Sequence, residues 1–317
     1  MQLVFPLLVS ALIVCIAVPI LEKIALRIGF VDKPNNRKIH VKPIPLMGGI
    51  ALYLACVLSI LLFHVDYPTS GAIITGGTIL MLTGLLDDWY KTKGKDFPIW
   101  PRLLIYGLVS AIPLWFGIKI AGITDFHLEG MIIFPEWLAI LATMIWIFAF
   151  INMINFIDGV DGLSSGIVMI SSLTLFLIAI IQNYPELAIL SGILAGACGG
   201  FLGFNFYPAR IFMGDSGAIF IGYMIAVLAI DGVYKSAAVI TIVVPMLVLG
   251  VPIMDTFIVF FRRLLKGQGL HKADKLHTHH SLMKWGLSQK QTVLFLYLIG
   301  IIFSLLSIIL VLVLKYK

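Results

Sequence analysis

Residues 136–181 read EWLAILATMIWIFAFINMINFIDGVDGLSSGIVMISSLTLFLIAII, and this stretch settles the fold class. Its two apolar runs, 136–154 and 163–181, each supply the roughly 20 residues that a helix needs to cross a bilayer. From the end of the first run to the start of the second stand Asn152, Asn155, Asp158 and Asp161, punctuated by Gly159 and Gly162. A carboxylate at the edge of hydrocarbon costs several kcal/mol unless it lines a wet cavity or binds a cation, so such acids point to function. Three more lie beside other apolar runs: Asp87 and Asp88 in GLLDDWYK, and Asp215 in FMGDSG.

The rest of the chain agrees with this class. It is 60% hydrophobic and only 12% charged, with a mean hydropathy of +1.06. A soluble domain of this length cannot cover that much apolar surface, and lipid is the remaining solvent. Cys15, Cys56 and Cys198 all lie inside apolar runs and read as packing residues rather than a disulfide framework or metal site. The first run lacks a basic leader and a small-residue cleavage site before Glu22 and Lys23, so it reads as a permanent span. Spans are expected near 3–26, 46–63, 71–86, 100–118, 136–154, 163–181, 187–204, 212–230, 236–260 and 291–314. The expected fold is an all-α polytopic membrane protein of about ten transmembrane helices, one integral domain over 1–317 with no internal repeat.

Orientation follows from the basic residues. With the N-terminus outside, the connections near 27–45, 87–99, 155–162, 205–211 and 261–290 face the cytoplasm. Counting span ends, with Lys23 and Arg102, together with the adjoining loops, 18 of the 22 Lys and Arg residues then fall inside and 4 outside, as the positive-inside rule requires. An even number of spans returns the C-terminus to the outside. Topology and anionic lipid account for most of these cations, but the acids gain nothing from facing inward.

Several constellations carry chemistry on this face. Asp87 and Asp88 diverge by about 100° on a helix, so one can face a metal and the other a reacting hydroxyl; a pair of hydrated acids ending a helix is the plain alternative. The steps Asn152, Asn155, Asp158 and Asp161 place amide and acid oxygens on neighbouring positions, hard ligands suited to Mg²⁺ beside phosphate. Amides also read the edge of a base, and a simple helix cap is the competing structural account. Asp215 opens a span, where it could be only a cap but alongside the others reads as a metal ligand. The inner loop 261–290 carries His277, His279 and His280 among Lys272 and Lys275, a mixture that suits donors to phosphate better than a zinc site. Before the second span, His40 and Lys42 are candidate phosphate contacts, while Gly48 and Gly49 allow backbone to approach a ligand.

Taken in order, KPIPLMGG, GLLDD, NMINFIDGVDGL, MGDSG and ADKLHTHH resemble the polyprenyl-phosphate N-acetylhexosamine-1-phosphate transferase family over nearly the whole chain. The HTHH form resembles the bacterial branch that moves GlcNAc-1-phosphate from UDP-GlcNAc to undecaprenyl phosphate and starts teichoic-acid or related glycan synthesis. The pentapeptide-sugar branch carries three adjacent histidines instead. Where the family generally has a lysine at the start of the fourth span, this chain has Arg102, which keeps the charge and adds a fork of donors.

The resemblance implies a plasma-membrane enzyme with a cytoplasmic site that uses Mg²⁺ or Mn²⁺. Asp215, with Asn155 or Asp88, would hold the metal. Asp87 or Asp88 would take the acceptor's proton, or one of them would form an aspartyl-phosphate. His279 and His280 would act on phosphate charge, with Lys42, Arg102 and His277 binding substrate, and Asn152, Asp158 and Asp161 would line the nucleotide pocket. Expected partners are the UDP-sugar, undecaprenyl phosphate and membrane lipid, without nucleic acid; a homodimer stays open. The main alternative outside enzymes, an ion-coupled transporter, calls for acids near the bilayer midplane and repeat symmetry, and this sequence shows neither.

Overall fold

The structure is a computed structural model and describes residues 3–34, 42–65, 67–125, 130–234, 243–265 and 277–316. In chain order the helices are α1 (Val4–Ile28), α2 (Gly48–Leu62), α3 (Pro68–Thr92), α4 (Ile99–Ser110), α5 (Ile112–Trp115), α6 (Glu136–Ile157), α7 (Leu163–Ile181), α8 (Pro185–Asn205), α9 (Gly214–Tyr234), α10 (Val243–Val248), α11 (Gly250–Leu265), α12 (Thr278–Lys284) and α13 (Gln289–Lys315). Two short antiparallel hairpins accompany them, β1 (Val31–Asp32) with β2 (Ile44–Pro45) and β3 (Gly122–Asp125) with β4 (Gly130–Ile133).

Among the described residues, seven helices are long and apolar enough to cross a membrane: α1, α3, α6, α7, α8, α9 and α13. The surface says the same. On α1, Phe5, Leu8, Leu12, Ile16 and Ile20 are exposed while Ser10, Val14 and Val18 are buried, an inversion that water would not tolerate and lipid favours. Exposed tryptophans mark both ends, Trp100 and Trp285 at one, Trp115 and Trp137 at the other, where amphipathic rings prefer the lipid–water boundary. This is a multi-pass membrane protein.

The helix α9 is the axis of the bundle and is almost wholly enclosed, from Ala218 to Ala229. Its N-terminus shares one end of the molecule with the starts of α2, α4, α7 and α13 and the ends of α3, α6 and α8. The start of α1 and the end of α13 lie at the opposite end, where Phe5 packs edge-on against Phe63 and Lys315 reaches the carbonyl of Ile181.

Helix bounds depart from the expected spans in informative ways. α6 runs to Ile157 rather than 154, because Asn152 turns its Nδ2 onto the Phe148 carbonyl at 2.7 Å and so stays compatible with the helix. α3 continues past 86 to Thr92, which leaves Asp87 and Asp88 inside the helix rather than at its end. The span expected at 100–118 is interrupted after Ser110, whose Oγ bonds back to the Tyr106 carbonyl ahead of Pro113. The hairpin β3–β4 was not expected at all.

The span expected at 236–260 is also broken. Residues 236–242 lie outside the described part, and the helix interrupts between α10 and α11 at Leu249. Pro252 has no N–H to give to the Val248 carbonyl four residues back. Ser171 of α7 supplies the missing donor at 2.7 Å, so the kink is pinned to its neighbour.

Candidate active site

The site is assembled around the first turn of α9. Phe212 and Met213 run alongside the segment that enters α2: Gly48 N donates to the Phe212 carbonyl at 3.0 Å, Gly49 N to the Met213 carbonyl at 2.9 Å, and Phe212 N to the Pro45 carbonyl at 2.9 Å. The paired glycines therefore serve backbone against backbone. A Cβ on Gly49 would come within 2.5 Å of Ser216 Oγ and 2.8 Å of Gly217 Cα, and one on Gly84 of α3 would stand 2.5 Å from Ser216 N. Only residues without side chains let α2 and α3 hold α9 this closely.

Asp88 fills the gap that remains. Its Oδ1 accepts from Asp215 N at 2.8 Å, and its Oδ2 from Ser216 N at 3.1 Å and Ser216 Oγ at 2.8 Å. Both oxygens of this fully buried carboxylate are thus taken up as the cap of α9, supplied from another helix. Asp87, one residue earlier, points elsewhere and pairs with Arg102 Nη1 of α4 at 2.9 Å.

Asp215 itself emerges from the α9 N-terminus between three groups. Lys91 Nζ lies 2.5 Å from its Oδ2, Asn155 Nδ2 donates to its Oδ1 at 3.2 Å, and the Asp87 carboxyl comes within hydrogen-bonding reach. Sequence reading passed over Lys91 as a topological cation. Its spacing of four from Asp87 and three from Asp88 was the available signal.

The turn after α6 forms the next wall. Asp158 accepts a hydrogen bond from Ser164 Oγ at the start of α7. Burial pushes its carboxyl up to about 7, against the opposing pull of that hydroxyl. Asp161 looks away from the acids and accepts from Ala209 N at 3.0 Å, pinning the loop between α8 and α9. Buried Asn205, which the motif reading missed, ties the same loop down: its Oδ1 receives Gly162 N at 3.1 Å and Ser165 Oγ at 3.2 Å, and its Nδ2 donates to the Ile211 carbonyl at 3.0 Å. Tyr297 OH of α13 donates to the Gly162 carbonyl at 2.5 Å.

The histidines close over this turn. A Cβ on Gly159 would lie 3.1 Å from His279 Nε2, so that imidazole rests on the α6–α7 turn. Burial first, and then the neighbouring His280, push the buried His279 down to about 3, which keeps it neutral. His277 stacks parallel to His279 with ring centroids 5.6 Å apart, and His280 lies 4.3 Å from His279. Asp255 of α11 holds His277, with Oδ2 at 2.7 Å from Nδ1.

The fold therefore gathers Asp87, Asp88, Arg102, Asn155 and Asp215 into one cluster, with Asp158, His277, His279 and His280 bordering the adjacent turn. Asn152 is turned to its own helix and Lys42 is exposed before β2. His40, His271, Lys272, Asp274 and Lys275 lie outside the described residues.

Fold and site together define a membrane protein with a cation-balanced acidic cluster at one end of an apolar bundle. Residues 70–233 match glycosyl transferase family 4. The chain is 39% identical to a probable undecaprenyl-phosphate N-acetylglucosaminyl 1-phosphate transferase of Bacillus subtilis, over 98% of this chain and 85% of that one. It is 32% identical to the decaprenyl-phosphate N-acetylglucosaminephosphotransferase of Mycolicibacterium smegmatis (93% and 79% covered). Identity is 28% to the phospho-N-acetylmuramoyl-pentapeptide-transferase of Caldicellulosiruptor bescii (96% of each). The chain belongs to glycosyl transferase family 4.

Proposed function

We propose that the chain transfers GlcNAc-1-phosphate from UDP-GlcNAc to undecaprenyl phosphate at the cytoplasmic face of a bacterial plasma membrane, starting a teichoic-acid or related cell-wall glycan. The observation that carries this reading is the placement of Asp87, Asp215, Lys91 and Arg102 as one balanced cluster at the edge of an apolar bundle. A lipid phosphate and a water-soluble nucleotide sugar can meet only at such a boundary. The similarity to the Bacillus subtilis protein over nearly the whole chain supports the choice of sugar and lipid, and the pentapeptide-sugar relative is less similar.

The donor set fits a divalent cation. Asp215 and Asn155 bring a carboxylate and an amide together, hard oxygen ligands of the kind Mg²⁺ takes one or two of together with phosphate oxygens and water. Mn²⁺ would accept the same oxygens. Asp215, with Asn155 beside it, would hold the ion, which when bound supplies positive charge to the diphosphate. Asp88 serves by fixing Asp215, since its own oxygens are committed to α9.

Asp87 is then the carboxylate positioned to take the last proton of undecaprenyl phosphate. The freed oxygen attacks the β-phosphorus, the bond from that phosphorus to the bridging oxygen breaks, and UMP leaves with the bonding electrons. Lys91 and Arg102 neutralise phosphate charge, and the histidines close the diphosphate side. Catalysis is chiefly positioning and electrostatic stabilisation.

The test is incubation of purified protein with undecaprenyl phosphate, Mg²⁺ and either UDP-GlcNAc or UDP-MurNAc-pentapeptide, with mass analysis of the lipid. A diphospho-GlcNAc lipid is expected; product only from the pentapeptide donor would overturn the assignment. Release of UMP from UDP-GlcNAc without lipid would replace direct attack by a covalent aspartyl-phosphate.

A further inference from the structure

Among the described residues, Asp255 is a buried acid in direct contact with the histidine segment that the chemistry above does not use. It is buried in the second half of the broken helix, where an ionised group needs strong partners. Both its oxygens have one: Oδ2 meets His277 Nδ1 at 2.7 Å, and Oδ1 accepts Thr278 N, the first amide of α12, at 2.6 Å. An ionised carboxylate only accepts, so Nδ1 must carry the hydrogen. That leaves Nε2 as the free nitrogen of His277.

We propose that Asp255 is a positioning residue for the transfer reaction, holding His277 in the Nδ1–H tautomer so that Nε2 faces the phosphate-bearing end of the substrate. The proposal rests on the functional reading above. It gives the three histidines different duties. His279 is buried and packed on Gly159, and its neutral ring acts as a platform. His277 stacks on that platform, with Phe156 of α6 5.9 Å from its ring, and has a carboxylate behind it. With Nδ1–H given to that carboxylate, Nε2 turns its lone pair outward as an acceptor for a hydroxyl hydrogen carried at that end of the substrate. The pair also joins α11 to α12, so the histidine helix follows α11, whose entry is pinned through Ser171 and Val248.

A mere helix cap and a tautomer-holding residue separate cleanly in the Asp255→Asn variant. Asparagine keeps one oxygen for Thr278 N, so the cap survives. Its Nδ2 would face His277 Nδ1 and enforce the opposite tautomer. Turnover with UDP-GlcNAc and undecaprenyl phosphate should fall on the order of a hundredfold, with KM for the nucleotide sugar changed less than about threefold and the thermal midpoint within a few degrees. In a His277→Gln background the same substitution should cost nothing further, because the two residues act as one unit. Losses that multiply in the double variant, or an Asp255→Asn enzyme of near wild-type turnover, would assign Asp255 to capping alone. A readout independent of activity is ¹⁵N NMR of histidine-labelled wild-type protein. Protonated Nδ1 on His277 is expected; an Nε2–H tautomer overturns the proposal even if the transferase reading holds, and even if Asp255→Asn cannot be purified folded.

Discussion

The twin acids Asp87 and Asp88 should respond differently to the same change. In Asp88→Asn one oxygen becomes an amide, which must face either Asp215 N or Ser216 N, both donors now served by the carboxylate. One buried backbone N–H therefore loses its acceptor, at about 1–3 kcal/mol. Loss of the negative charge at the α9 N-terminus adds about 0.3–2 kcal/mol. A net destabilisation of about 2–4 kcal/mol follows, a drop in thermal midpoint on the order of 5 °C or more.

Asp87→Asn keeps an oxygen for Arg102, whose side chain is 27% exposed and can draw on water. It also removes like-charge repulsion against Asp215, so its stability should change by less than about 1 kcal/mol. Both variants should lose several orders of magnitude in turnover, Asp87→Asn through lost chemistry and Asp88→Asn through a displaced Asp215. Thermal melts of the detergent-purified proteins, run beside the UDP-GlcNAc assay, read both quantities. Equal melting of the two variants, with Asp88→Asn inactive, would refute the capping role and return Asp88 to the reacting groups.

Three further outcomes follow from the same geometry. Gly49→Ala places a methyl against Ser216 and Gly217 and should cost about 2–3 kcal/mol; its melt, and a weakened Mg²⁺ dependence of turnover, check this. Asp158 has its carboxyl raised from 3.8 to about 7 by burial. The stability it contributes is full below about pH 4 and is lost as pH rises to 7. The stability advantage of Asp158→Asn over wild type should accordingly grow across that window and level off above it, in melts taken from pH 4 to 8. Ser171→Ala strands the Val248 carbonyl and should cost about 1–2 kcal/mol, with faster amide exchange in α11 as its local signature.

Much of the site was legible in the chain because its parts are costly in lipid. Asp87, Asp88, Asn155 and Asp215 stood out as polar groups bordering apolar runs, and the structure brings all four together. Their division of labour was not legible. Adjacent aspartates look alike in sequence, and only the docking of α9 against α3 makes Asp88 its cap and leaves Asp87 paired with Arg102. Lys91 was hidden among cations that topology already explained. Asn205 and Asp255 were hidden for another reason: their partners, Gly162, Ile211, His277 and Thr278, are brought to them by helix packing.

The chain by itself determined the solvent, the helical class and the family, since hydropathy and motif order are properties of the string and each helix satisfies its own backbone bonds locally. Tertiary structure alone decided which carboxylates are spent on backbone caps and which pair with cationic side chains instead. A carboxylate's free lone pairs depend on the donors that packing brings to it, and those donors come from residues such as Asp215, Ser216, His277 and Thr278 on other helices.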